Sequence, residues 1–252
     1  MKQLFLVVFA ALLFTQCDKE KKPTTGDVKI NFTSSFDQDP LVFNKVYEYL
    51  PQRFIQYTKF DMFLSSITLT GGPKGDTVLA DISYLNFDPV SNDANSAKAG
   101  LVMEVKNVPV GDYTGMSLGV GVRPDINATN PTNYTSDNPL SQPELYWAGW
   151  KSYIFSRMEG KMDSVTTGLY ATGMSYHTGL NDFYRVVNLT SPIKVSGGTS
   201  NTIKININIR DIFKSDDTYL DIMKITEAHG PSDKKTIEKI VNNYSHAIKI
   251  IQ

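Results

Sequence analysis

The chain has 252 residues, with 25 Lys and Arg against 26 Asp and Glu, and it contains one cysteine. A net charge of −1 leaves no broad basic face, so the composition argues against a nucleic-acid-binding protein. Because a single cysteine has no partner within the chain, the fold must depend on its apolar core rather than on disulfides.

The N-terminus predicts export and a lipid anchor. A basic start at residues 1–3 precedes an unbroken apolar run at residues 4–14, which has the length of a signal-peptide core and is too short to span a bilayer. Cys17 follows at the position of the acylated cysteine of a bacterial lipoprotein. A plain signal peptide with an unmodified cysteine is the alternative.

These features predict three segments. Residues 1–17 are the lipoprotein signal peptide and lipobox, residues 18–26 are a charged and flexible tether, and residues 27–252 are a single domain. We expect this domain to be extracytoplasmic, lipid-anchored to the outer or inner membrane, and either periplasmic or exposed at the cell surface.

From residue 28 onward, alternating apolar and polar residues between turn residues predict many short β-strands. The predicted strands are residues 28–32, 60–69, 78–87, 101–105, 114–122, 153–159, 169–177, 184–189 and 202–209. Residues 92–99 are small and polar and predict a loop. Residues 123–143, rich in Asn, Pro and Thr, predict a long loop of the kind that is more often functional than connective.

Only the C-terminus predicts a helix. An N-cap region at residues 231–233 is followed by apolar residues at spacings of three and four: Ile237, Ile240, Val241, Tyr244, Ala247 and Ile248. The predicted fold is therefore all-β, a two-layer β-sandwich of the immunoglobulin-like kind with one C-terminal helix.

Both tryptophans of the chain, Trp147 and Trp150, lie on one short turn, with Tyr146 before them and Tyr153 after them. A turn of this composition is either a packed aromatic corner or a functional site. The common hydrolase signatures Gly-x-Ser-x-Gly and His-Glu-x-x-His are absent from the sequence, so we expect no enzymatic activity and assign no catalytic residue.

Three histidines are available as metal ligands. Each of His177 and His229, taken alone, is more often a satisfied polar residue than a ligand, and His246 is expected at the surface of the helix. The helix that follows His229 should lower its pKa and favour the neutral, metal-binding imidazole. Four methionines offer thioethers to Cu(I), although core filling is their usual role: Met158, Met162, Met174 and Met223.

Several short motifs follow one another in a characteristic order. They are a strand ending in Phe32, an aromatic-Leu-Ser core at residues 63–65, a Gly- and Val-rich strand at residues 118–122 that leads to Asn127, Pro139-Leu140, Tyr146-Trp147, Trp150, Ser152-Tyr153, Glu159-Gly160, His177-Thr178-Gly179, and His229-Gly230-Pro231 before a helix with Asn242-Asn243. This order resembles that of the MbnP-like family, copper-binding periplasmic proteins tied to methanobactin operons, of which Bacteroidetes-type bacteria carry lipoprotein members. Two residues rather than one separate the tryptophans here, and no cysteine occurs at residues 180–183 after the His-x-Gly element.

The resemblance implies a copper site near the tryptophan turn. His177 and His229 would be the metal ligands, and Trp147 or Trp150 would be oxidised to kynurenine or would line the site, as would Tyr146. It also implies a partner, a di-haem protein of the cytochrome c peroxidase type that carries out the oxidation. The implied role is copper uptake, storage or delivery.

Two other interpretations stay open at this point. In the first, exposed aromatic side chains of the turn stack on a glycan or a peptide, and the protein is a surface interaction module. In the second, the tryptophans are buried core residues of a structural lipoprotein. The distance between His177 and His229 separates these interpretations, because a copper site needs both imidazoles within a few ångströms of each other.

Overall fold

The computed structural model describes residues 22–163, 165–216 and 218–251. The predicted signal peptide and Cys17 lie outside the described residues, and the division of the chain into segments 1–17, 18–26 and 27–252 stays a prediction. Among the residues described, no helix is long and apolar enough to cross a membrane.

Sixteen strands form within the described residues. They are β1 (Thr25–Phe36), β2 (Asp39–Pro40), β3 (Tyr47–Leu50), β4 (Arg53–Gly72), β5 (Gly75–Asn86), β6 (Leu101–Pro109), β7 (Gly111–Val120), β8 (Tyr146–Trp147), β9 (Ser152–Asp163), β10 (Thr172–Gly179), β11 (Arg185–Val195), β12 (Ser200–Asn208), β13 (Lys214–Ser215), β14 (Thr218–Tyr219), β15 (Glu227–His229) and β16 (Ile248–Ile251). The α-helices are α1 (Ala94–Ala99), α2 (Ile209–Ile212) and α3 (Lys234–Ala247).

The strands form two main sheets, which confirms the predicted β-sandwich. The smaller sheet has the order β16-β12-β1-β2, with β6 also paired to β1. The larger sheet has the order β11-β7-β4-β9-β10-β15, with β3 and β5 paired to β4. Apolar side chains from the facing surfaces of both sheets form the main core, as expected for an aligned two-layer packing.

The long strand β4 is buried without interruption from Phe60 to Ser65, because both faces of the sheet are covered there. Side chains such as Phe60 and Met62 belong to the main core between the sheets. Phe63 points to the other face, where a second core forms under the loop that follows β7, with Leu140, Leu145 and Tyr153 as members. The long loop predicted from its Asn- and Pro-rich composition is therefore a packed cover over part of the outer sheet face.

The predicted C-terminal helix is confirmed as α3, and its apolar positions face the core. The residues Ile237, Ile240, Val241, Tyr244 and Ala247 are all buried. Ile248, which was expected to continue the helix, instead begins β16. The predicted loop at residues 92–99 is wrong in part, because α1 forms there after Asp93 accepts hydrogen bonds from the backbone N–H groups of Asn95 and Ser96.

Candidate metal centre

Three neighbouring strands of the larger sheet place polar side chains on its outer face. In β10, Met174, Tyr176 and Thr178 are buried inward, so that His177 between them projects outward. Ala228 of β15 is likewise buried, and the alternation brings His229 to the same outer face. Because β9, β10 and β15 are adjacent, these positions form one small surface.

The strand register brings the two histidines together. His177 and His229 are direct partners in the parallel pairing of β10 with β15. Their ring centroids lie 4.6 Å apart, with the ring planes at 75°. The two imidazoles predicted from the sequence as candidate ligands therefore lie side by side on the outer face of the sheet.

His177 is held by a carboxylate on the strand beside it. Its Nε2 lies 2.8 Å from Oε1 of Glu159, and the Oγ of Ser175 lies 3.2 Å from the same nitrogen. The hydrogen bond with His177 holds the pKa of Glu159 below its ordinary value. Since an ionised carboxylate can only accept, Nε2 of His177 is the donor.

His229 lies in a different environment. Among the described residues, no hydrogen bond reaches its ring, while its backbone N–H donates to Oδ2 of Asp233 at 2.8 Å. Burial lowers the pKa of His229, and the neighbouring His177 adds to the effect. The direction agrees with the sequence expectation, although the main cause is burial rather than a helix terminus. A neutral imidazole with an uncommitted ring nitrogen is a competent metal ligand.

The two tryptophans pack against each other beside His229. Their ring centroids lie 4.8 Å apart in an edge-to-face arrangement. Trp147 is half-buried, whereas Trp150 is 44% exposed. Neither belongs to the buried part of either core, so the interpretation of the tryptophans as core residues is wrong.

Each indole ring rests on a glycine that follows one of the histidines. A Cβ added to Gly179 would fall on the ring of Trp147, and one added to Gly230 would fall on the ring of Trp150. The same arrangement thus occurs twice. In His177-Thr178-Gly179 and in His229-Gly230, a histidine is followed by a glycine whose missing side chain leaves room for an indole ring.

A shallow cavity of about 380 Å³ opens at the turn. Its lining consists of Tyr146, Trp147, Ala148, Gly149, Trp150 and His229. Tyr146 is fixed from both sides, since its ring packs edge-on against Tyr153 and its hydroxyl donates to the carbonyl of Ala128 at 3.2 Å. Solvent therefore reaches His229 through this cavity, whose walls are formed mainly by aromatic side chains.

Asn127 ties the long loop to the site. Its side-chain amide donates to Oγ of Ser152 at 3.0 Å and to Oδ1 of Asn181 at 2.9 Å. Its Oδ1 accepts from the backbone N–H of Tyr153 at 2.9 Å. Because Asn127 is buried, these bonds are protected from water and hold the tryptophan turn against the end of β10.

The remaining candidates lie elsewhere. His246 is exposed on α3, where its Nε2 lies 3.2 Å from the carbonyl oxygen of Asp211. The four methionines fill or border the main core, as their usual role predicts. Within the described ranges, no group of three or more His, Cys, Asp or Glu side chains has an arrangement that could hold a metal ion.

Sequence reasoning did not assign a role to Glu159 or Ser175. In the sequence Glu159 stands out only as part of a Glu-Gly motif, although period-two alternation along β9 places it on the outer face. What the sequence lacks is the strand register, which pairs Glu159 with Ser175 and brings the carboxylate within reach of His177.

The fold and this surface define a class of protein, a two-layer β-sandwich with paired imidazoles beside a double-tryptophan turn. The MbnP family model matches residues 25–232, and the chain belongs to this family, which is associated with methanobactin and copper. Among solved structures, MbnP from Methylosinus trichosporium matches with a TM-score of 0.50 and 15% identity, over 83% of this chain and 82% of that chain. At this identity the structural match shows a shared fold. A comparison with curated proteins finds no match.

Proposed function

We propose that this protein is a non-enzymatic, extracytoplasmic copper-binding lipoprotein that serves copper uptake, storage or delivery. The observation that carries the proposal is the pairing of His177 and His229, whose rings lie 4.6 Å apart on one open face. Imidazole suits copper in either oxidation state. Membership of a copper-associated family supports the same reading.

The donor set of this site fits copper but is incomplete. Two imidazoles supply two nitrogen ligands, and within the described residues no third His, Cys, Asp or Glu joins them in a metal-binding arrangement. We propose that an oxidised tryptophan supplies the missing donor. Kynurenine carries an aromatic amine and a ketone, and it forms when the indole five-membered ring is oxidatively cleaved and its formyl carbon is lost as formate.

Trp150 is the tryptophan better placed for this role. Both tryptophans line the cavity with His229, but Trp150 is 44% exposed and its ring lies against Gly230, directly after His229, whereas Trp147 is half-buried on Gly179. In this proposal Trp147 forms the inner wall of the site. The oxidant is hydrogen peroxide, two molecules of which convert one tryptophan to kynurenine, formate and water, and it acts through a di-haem partner of the cytochrome c peroxidase type. An exposed ring at the surface gives that partner access. Peptide mass spectrometry of protein isolated from its native host should show the tryptophan-to-kynurenine change at Trp150.

The proposed location follows from the N-terminal sequence. An acylated Cys17 would attach the domain to the outer or inner membrane, because each buried methylene of a lipid chain contributes about 0.8 kcal/mol. Residues 18–26 would then act as the tether. Cys17→Ser should release the protein from membranes, which fractionation and mass spectrometry of the mature N-terminus would detect.

The test of the copper proposal is Cu(I) binding by the full-length protein in competition with a chromophoric chelator. We expect tight binding by the unchanged protein and its loss in both His177→Ala and His229→Ala. His246→Ala, which removes the exposed histidine on α3, is the matched control and should bind copper normally. Weak binding that neither site variant alters would contradict the proposal and leave the aromatic turn as a glycan- or peptide-binding surface.

That second function is the weaker candidate on the structure. Partly exposed Trp150 and Tyr146 are compatible with stacking on a glycan. However, an aromatic platform does not require two imidazoles side by side, and here the two rings lie 4.6 Å apart, with His229 in the lining of the cavity at the turn.

A further inference from the structure

We infer that Glu159 is a positioning residue for the proposed metal centre: it fixes the His177 ring in the tautomer that presents Nδ1 to the metal. The inference rests on the proposed copper function and goes beyond it. Glu159 is not itself counted among the ligands, and its role is exerted through the hydrogen bond to His177.

The hydrogen bond to Glu159 determines which ring nitrogen of His177 carries the proton. Oε1 of Glu159 lies 2.8 Å from Nε2 of His177, within the range of a charge-assisted hydrogen bond. A carboxylate has no proton to donate, so the proton lies on Nε2. A neutral imidazole carries one N–H and one lone pair, which leaves the lone pair on Nδ1. Within the described part of the chain, no hydrogen bond occupies that nitrogen.

The second step is that Glu159 is committed to His177. Two cations lie nearby on the same sheet face, and each already has its own carboxylate. Arg157 binds both oxygens of Asp61, with the shortest contact at 2.7 Å, and Lys59 binds Asp88 at 2.8 Å. Among the described residues, the hydrogen bond that Glu159 makes with its side chain is the one to His177.

The third step is the general chemistry of metal-bound histidine. A ligating imidazole almost always donates its other N–H to a carboxylate, a carbonyl or water, which fixes the ring and raises its basicity. Glu159 is in the position of such a carboxylate. It is also partly shielded, with 33% of its side chain exposed against 17% for His177, so the bond is not that of a fully solvated surface pair.

The experiment compares Glu159→Ala with Glu159→Gln in the full-length protein. Cu(I) affinity is measured by competition with a chromophoric chelator. We expect Glu159→Ala to weaken binding about 10–100-fold, the usual effect of losing an outer partner of a metal ligand. Glu159→Gln should stay close to the unchanged protein, because the amide oxygen can accept the same N–H. Glu227→Gln is the control, since it removes an exposed carboxylate on β15 that, among the described residues, makes no hydrogen bond to the ring of His177 or His229.

A second measurement follows the tautomer without any metal. Nitrogen-15 NMR of the histidine rings should show the Nε2–H form of His177 in the unchanged protein and in Glu159→Gln, and a mixture of tautomers in Glu159→Ala. A merely structural role for Glu159 would leave these signals unchanged.

The outcomes separate the two proposals. If the unchanged protein binds no copper, the copper function is wrong, and a positioning role toward a metal fails with it. If the unchanged protein binds copper and Glu159→Ala binds it equally well, only the role of Glu159 is wrong. An equal loss in the Ala and Gln variants would also overturn that role, because the contribution would then come from the negative charge or from direct ligation.

Discussion

His177 and His229 occupy paired positions on adjacent parallel strands, yet their surroundings differ. β10 lies inside the larger sheet between β9 and β15, and His177 is hydrogen-bonded to Glu159. β15 is a three-residue strand at the sheet edge, and no hydrogen bond from the described residues reaches the ring of His229. The tryptophans follow the same division, with Trp147 half-buried and Trp150 exposed.

This difference separates a fixed half of the site from an adjustable half. The half formed by His177 and Trp147 is held by sheet neighbours on both sides and by the loop. In the half formed by His229 and Trp150, the indole is exposed and no hydrogen bond from the described residues holds the imidazole, so these side chains can change position at lower cost. If the proposed copper function is correct, the fixed half would define the position of the ion and the adjustable half would leave a side open for its passage.

Removing the anchor that both halves share should have the largest effect. Asn127→Ala should lower the free energy of unfolding by about 3 kcal/mol, because a buried N–H left without a partner costs about 1–3 kcal/mol and each further hydrogen bond lost costs about 1 kcal/mol. The Tyr153 N–H loses the side-chain oxygen that accepts its hydrogen bond, and Ser152 and the exposed Asn181 each lose one hydrogen bond, although Ser152 keeps its bonds to the Tyr153 carbonyl and the Leu180 N–H. Urea unfolding of the metal-free protein measures the change.

Asn188→Ala provides the control for that experiment. Asn188 is exposed on β11, so its loss should change the free energy of unfolding by no more than about 0.5 kcal/mol. Equal losses in the two variants would show that Asn127 does not anchor the loop.

A change in the fixed half should come next in size. In Gly179→Ala the new Cβ would lie 2.8 Å from the carbonyl oxygen of Tyr153 and against the half-buried ring of Trp147. The backbone oxygen cannot move aside, and such overpacking costs about 1–3 kcal/mol, so we expect a loss of about 2 kcal/mol. Gly173→Ala on the same strand, where a Cβ meets open space, should be nearly neutral by thermal unfolding. If Gly179→Ala left the stability unchanged, the Trp147 ring could not be packed closely against Gly179.

Much of the fold could be predicted because its strands are long enough to show their period. The run at residues 202–209 alternates strictly and forms most of β12, and the spacing of apolar residues after Asp233 predicts α3. The elements that were missed are short. β15 has three residues, which is less than two periods of a strand, and α1 has six small or polar residues whose helix depends on the Asp93 cap.

The site could be predicted in its parts but not in its assembly. The tryptophan turn, His177 and His229 stand out by residue type and order. Their proximity depends on the parallel pairing of β10 with β15, which are distant in the chain, and no local pattern encodes that register. The same register determines the contact between Glu159 and His177, and for this reason the carboxylate received no role from the sequence.

The smallest expected effect lies in the adjustable half. Gly230 has φ +67°, a conformation that costs an L-residue with a side chain roughly 1–2 kcal/mol, and its Cβ would meet the Trp150 ring. Since that ring is 44% exposed, it can swing outward and relieve the contact. We expect Gly230→Ala to lower the free energy of unfolding by about 1 kcal/mol, near the lower end of that conformational cost, and to shift tryptophan fluorescence to the red.

Gly149→Ala, in the turn itself, is the matched control because its Cβ would meet open space. If one half is fixed and the other adjustable, Gly230→Ala should shift the tryptophan fluorescence further than Gly179→Ala does. Gly179→Ala should lower the free energy of unfolding more than Gly230→Ala does. A larger loss of stability from Gly230→Ala than from Gly179→Ala would mean that the edge strand, not the central one, is the rigid side of the site.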